Sequence, residues 1–186
     1  LKHWDTDVDP VGKEALKPFE NGAELLTKSI AIFDQLDSYF GSCLRTMEKE
    51  GFLDLDSKPG KSPGGYNYPL YESGIPFIFM NAAGAQHDLV TMVHEGGHAI
   101  HSFLAHPLSL SAFKEYPMEI AEVASMSMEL FSMNHWQSFF DKEEDLWLGL
   151  DNGIAHVEIN SPISFFYDNS GFLGSVYSVA TLDKGY

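Results

Sequence analysis

One cysteine in 186 residues, Cys43, leaves this chain without an internal disulfide. A lone thiol suits a reducing compartment, so the expected location is cytoplasmic and Cys43 reads as a packed side chain. Basic residues are also scarce: 11 Lys and Arg stand against 27 Asp and Glu, a net charge of −16. That balance disfavours nucleic acid and anionic membrane surfaces as partners. It is compatible with basic peptides or with plain solubility. No apolar run approaches a membrane span, and no secretory signal pattern, internal repeat or low-complexity tract stands out. What is present, 44% hydrophobic and 13% aromatic residues, fits a single globular domain with a proper core.

The most informative residues are His94-Glu95-Gly96-Gly97-His98, an HExxH pattern. On a helix the two imidazoles lie one turn apart and roughly 40° apart in azimuth, so both can reach one cation. Neutral imidazole is a natural zinc ligand, and a glutamate beside a zinc-bound water is placed to act as general base. The competing reading is an accidental HExxH on a buried helix. A catalytic zinc takes a third protein ligand and keeps a fourth position open. The metzincin pattern asks for a glycine at position 101 and a histidine at 104; the chain has His101 and Leu104, so that arrangement fails. His101 shares the face of His94 but lies almost two turns along the axis, too far for the same ion. It reads as a packing residue or a support to the ligands. A glutamate on a following helix is the remaining option.

From Pro117 a mostly apolar segment runs to Trp136 without another Pro or Gly, which predicts a buried helix. Glu119, Glu122 and Glu129 interrupt it as a carboxylate stripe. Buried carboxylates want cations or histidine nitrogens beside them, whereas a solvated strip on a half-buried helix needs neither. Spacing alone leaves open which of the three would be the ligand.

The run His94 to His101, followed by Ile120-Ala121-Glu122-Val123-Ala124-Ser125 and Glu129, resembles the zinc oligopeptidases of the oligoendopeptidase F and thimet oligopeptidase family. Gly60-Lys61-Ser62-Pro63-Gly64-Gly65-Tyr66, with Asp54 before it, is similar to that family's glycine-rich substrate loop. Ile75 to Asn81 is similar to the strand leading into the HExxH helix. Together these cover roughly residues 45 to 140. The resemblance implies a mainly α fold with a small β-sheet, a zincin-type catalytic core of HExxH helix plus glutamate helix. It implies one Zn2+ per chain on His94, His98 and Glu122, with Glu95 as general base and Glu129 supporting the ligands. Gly64 and Gly65 would hold substrate, and the substrates would be short peptides. Residues 1–186 are then expected to form one catalytic domain cut from a longer architecture, with 142–186 a divergent tail. The family's downstream histidine and tyrosines find no match; His156, Tyr167, Tyr177 and Tyr186 stay unassigned. The expected activity is zinc-dependent endopeptidase. Alternatives are a related zinc carboxypeptidase or an incomplete zinc-binding module.

Local signals complete the expectations. Asn21 with Glu24 starts a helix, and Leu26, Ile30, Phe33, Leu36, Phe40, Leu44 and Met47 mark a long amphipathic helix or a helix pair. Lys58 to Gly65 is turn-rich and reads as a loop. Ile75 to Met80 reads as a strand, and Pro76 suggests an edge strand on which a peptide could pair, near Ala82 and Ala83. The HExxH helix should run from about Gln86 to Ala105. Gly96 and Gly97 cost it about 1 kcal/mol each relative to Ala. A close approach by substrate or by a neighbouring element would explain them. A strand-like alternation appears at Ala155 to Asn160.

Overall fold

A computed structural model describes residues 16–140 and, as backbone, the strands Leu146–Leu150, Gly153–Val157 and Ser164–Phe166. The described residues fall into two compact units, one of residues 17–132 and one that takes in 133–140 and these three strands.

In the first unit, α1 (Gly22–Leu36) is capped by the Asn21 side chain, which accepts from the Glu24 N–H at 2.9 Å. The amphipathic segment proves to be a pair. It breaks at Asp37, whose backbone is extended and whose carboxylate accepts from the Tyr39 N–H at 2.8 Å to start α2 (Ser38–Glu50). Gly51, at φ +76°, ends α2 in the left-handed conformation that glycine adopts without steric cost. The break rotates the apolar stripe. Leu26, Phe33, Leu44 and Met47 are buried as the periodicity predicts, joined by Leu25 and Ile32, whereas Ile30, Leu36 and Phe40 are only half-buried. Cys43 is a buried free thiol, and burial pushes its pKa up to about 11, as a packed side chain requires.

A three-stranded sheet follows, with β1 (Leu53–Asp56), β2 (Gly65–Tyr68) and β3 (Phe77–Ala82) in the order β1-β3-β2. β3 is parallel to β1 and antiparallel to β2. This corrects the edge-strand expectation: the strand of residues 75–80 is central, and β1 and β2 are the edges. Pro76 lies just before the first paired residue, Phe77, so its missing N–H costs the ladder nothing. Ala82 pairs with Asp56 and accepts from the Ser57 N–H, so the side of the strand facing β1 is occupied there. The Asp88 carboxylate accepts the N–H groups of Ala83, Gly84 and Ala85 at 2.9, 3.0 and 2.9 Å, folding β3 directly into α3 (Gln86–Ala105).

α3 has the expected bounds and buries Leu89, Met92, Val93 and Ile100. A single 3-10 turn, Ser111–Phe113, leads to α4 (Met118–Ser132). The Pro117 carbonyl accepts from Ile120 and Ala121, so the proline sits one position ahead of α4. α4 departs from the expectation of general burial. Its inner face is Ala121, Ser125, Met128 and Ser132, while Met118, Ile120, Val123, Met126 and Phe131 are exposed by half or more. The helix turns its small and acidic side towards α3, and the next subsection gives the reason.

In the second unit, 3-10 turns span Met133–Ser138, and β4 (Leu146–Leu150), β5 (Gly153–Val157) and β6 (Ser164–Phe166) form an antiparallel meander. The alternation expected from Ala155 falls partly on β5, with His156 opposite Trp147 and Ser164. Residues 158–160, Tyr167, Tyr177 and Tyr186 lie outside the described residues.

Candidate metal centre

The site is built where α3 and α4 touch, and two glycines allow that contact. A β-carbon on Gly97 would lie 2.8 Å from Ser125 Cα and 3.2 Å from the Ala124 carbonyl, both backbone atoms of α4. One on Gly96 would lie 2.6 Å from the Phe33 ring of α1. A neighbouring element, then, is what makes these helix-weakening residues necessary. Ser125 faces Gly97, and Glu122 and Glu129 stand three residues before it and four after it, on the same side of α4. Close approach at Gly97 therefore carries both carboxylates to the histidines on α3.

His94 and His98 place their Nε2 atoms 3.1 Å apart, with the rings nearly perpendicular at 85°. Glu122 sets one oxygen 3.3 Å from His94 Nε2 and the other 3.6 Å from His98 Nε2. A tetrahedral cation about 2.0–2.2 Å from its ligands sets the ligand atoms about 3.3–3.6 Å apart. The three side chains thus have the spacing and donor chemistry of a two-histidine, one-carboxylate site, and they converge as a potential metal-holding group. Glu129 accepts from His94 Nδ1 at 2.6 Å. That bond keeps the proton on Nδ1 and leaves the Nε2 lone pair aimed at His98 and Glu122.

The surroundings differentiate the groups. The Glu129 bond raises the His94 pKa above its ordinary value, whereas burial lowers that of His98. Glu95 is 7% exposed, and burial raises its carboxyl pKa, opposed by the neighbouring His94 and by a backbone hydrogen bond from Asn67. Asn67 lies on β2, so the sheet edge comes over the HExxH turn, a contact with no signature in the sequence. Gly65, at the start of β2, packs where a β-carbon would meet Thr91 Cγ2 at 2.7 Å, one turn before His94. Gly64 adopts φ +92°, which turns the loop into the strand.

Other candidates lie apart from the cluster. Glu119 is exposed on α4, outside the group of His94, His98 and Glu122 that could hold a metal. His101 stacks on Tyr116 with centroids 3.9 Å apart. The next residue, Ser102, hydrogen-bonds the Tyr116 hydroxyl at 3.3 Å, so this turn of α3 is joined to the segment before α4.

Residues 20–146 match the model of Peptidase family M3. The chain belongs to that family. It is 29% identical over 111 residues to chromosomal oligoendopeptidase F of Lactococcus lactis subsp. cremoris, covering 60% of this chain and 18% of that protein. An oligoendopeptidase F homolog of Borreliella burgdorferi is 30% identical over 135 residues, covering 69% of this chain and 22% of the relative. The solved structure of PZ peptidase A with an inhibitor superposes with a TM-score of 0.65 at 27% identity, covering 69% of this chain and 23% of that one. The family expected from the motifs is therefore the family found, as is the mainly α fold with a small sheet. This chain spans about a fifth of the length of these relatives.

Proposed function

We propose that this chain carries the catalytic core of a zinc-dependent oligoendopeptidase, with Glu95 as the general base. The observation that carries this reading is the spacing of His94, His98 and Glu122, two imidazole nitrogens 3.1 Å apart and a carboxylate 3.3 and 3.6 Å from them, close to tetrahedral ligand separations, beside a buried glutamate. These three side chains would hold one zinc ion, which when bound polarises a water molecule and the scissile carbonyl. Glu95 takes the proton from the attacking water and delivers it to the leaving amine. Glu129 fixes the His94 ring and its tautomer through the 2.6 Å bond to Nδ1. The peptide lies extended along the outer edge of β2, entering by Gly64 and Gly65, and adds to the sheet as a strand. Short peptides as substrates accord with the oligopeptidase names of the relatives. A cytoplasmic location accords with the single buried thiol of Cys43.

The test is cleavage of an internally quenched peptide by zinc-loaded protein, beside Glu95→Gln and with a C-terminally blocked analogue. Turnover that vanishes in the variant and persists with the blocked peptide supports an endopeptidase. Loss of cleavage on blocking would assign a carboxypeptidase instead. Stoichiometric zinc with no turnover in the folded wild-type chain would make these residues a metal-binding module without sufficient catalytic machinery.

A further inference from the structure

We propose that Lys61 is a positioning residue whose buried ammonium sets the β2 edge at its working distance from the catalytic helix. This rests on the reading of β2 as the peptide-binding edge.

The Lys61 side chain is 7% exposed, whereas those of Lys17, Lys49 and Lys58 are 56%, 81% and 63% exposed. Its three N–H donors meet three oxygens: Asp54 Oδ1 at 3.0 Å, the Asp54 carbonyl at 3.1 Å and the Asp56 carbonyl at 2.8 Å. The two carbonyls flank an irregularity in the β1–β3 ladder, where the register shifts between Asp54 and Asp56. Such a bulge takes main-chain groups out of regular pairing, and here the ammonium accepts that task. The same Nζ lies 4.6 Å above the Phe79 ring of β3, which stacks at 5.1 Å on Tyr66 of β2. The Lys61 carbonyl accepts from Asn81 Nδ2 at 3.2 Å, and the Asn81 N–H donates to the Gly64 carbonyl at 3.1 Å. Lys61 thereby ties the glycine-rich loop to β1 and β3 immediately before that loop becomes β2. From there the contact path is short: Gly65 packs on Thr91, and the Asn67 backbone bonds Glu95.

Lys58 supplies an internal control. It reaches the same Asp54 oxygen at 3.2 Å but is 63% exposed. If only the charge on Asp54 mattered, the two lysines would be equivalent. If the tether matters, they are not.

The experiment measures peptide affinity in the non-turnover Glu95→Gln background, with Lys61→Met and Lys58→Met added separately. Zinc affinity is determined for each, and amide hydrogen exchange is followed over residues 60–68. Lys61→Met is expected to weaken peptide binding about tenfold or more, on the scale of a displaced binding group, with zinc affinity unchanged and exchange over 60–68 accelerated. Lys58→Met is expected to stay within about twofold on every readout. Equal peptide affinity in the two variants, or unchanged exchange in Lys61→Met, overturns the proposal. Should the Met variant not fold, Lys61→Gln, which keeps a donor, is compared with Lys58→Gln on the same readouts. A parent that binds zinc but no peptide overturns the peptide-binding reading of β2 itself, and the exchange data then decide separately whether Lys61 holds the loop.

Discussion

The α1–α2 pair and the α3–α4 pair are each consecutive helices that pack on one another, yet they meet by different means. α1 and α2 bury large side chains, Leu25, Ile32, Phe33, Leu44 and Met47, and begin on side-chain caps. α3 and α4 meet where Gly97 packs on Ser125, Met128 and Ala124, with a buried glutamate, two histidines and two more glutamates around the contact. One pair is arranged for apolar burial. The other gives up some of that burial so that charged groups from two helices come within bonding distance. The exposed apolar side of α4 is the visible result, because the face that would ordinarily go inward is turned away from α3.

The largest expected contrast is catalytic. Glu95→Gln should lower peptide turnover by about 10²–10⁴-fold with zinc content intact, read by quenched-peptide kinetics and metal analysis. Full activity in that variant would remove Glu95 from its role. A metal titration sharpens the comparison next: Glu122→Ala should weaken zinc binding by at least about 100-fold and Glu129→Gln by about 10–100-fold, while Glu119→Ala leaves it unchanged. Equal affinities across the three would sink the choice of ligand. The packing contrast is smaller: glycine is the better residue at the contact of one pair and alanine on the exposed face of the other. Gly97→Ala ought to be favourable by about 1 kcal/mol on helix propensity alone. The contact with Ser125 Cα should instead make it destabilising, by about 1–3 kcal/mol in chemical unfolding. The smallest effect belongs to α1, where exposed Ala31→Gly should follow propensity and cost about 1 kcal/mol. If both substitutions simply tracked propensity, glycine would not be what brings α3 and α4 together.

Much of this was legible in the residues because the relevant signals are local. The bounds of α3 follow from its periodicity, and the i, i+4 histidines need only one turn of helix to face each other. Placing Glu122 required the family resemblance, since three glutamates share the stripe and spacing does not rank them. Other features were hidden because they depend on long-range pairing. Pro76 suggested an edge, but strand order is set by where β1 and β2 land, twenty or more residues from β3 in one case and nine in the other. The outward apolar face of α4 was hidden for a related reason. Hydrophobic count predicts burial only when nothing else competes for the inner face, and here the carboxylates that meet the α3 histidines do. Lys61 reads in sequence as one more residue of a polar loop; its importance comes from carbonyls released at a bulge that no pattern announces.

The Asp88 carboxylate has a consequence for the order in which structure forms. All three N–H groups that it gathers lie three to five residues away, so the turn from β3 into α3 closes at almost no chain-entropy cost. The first turn of the histidine helix can thus be organised while α4 is still distant along the chain. Refolding followed with Asp88→Ala, against Glu122→Ala as the late-arriving counterpart, should slow the formation of α3 in the first case and leave it untouched in the second.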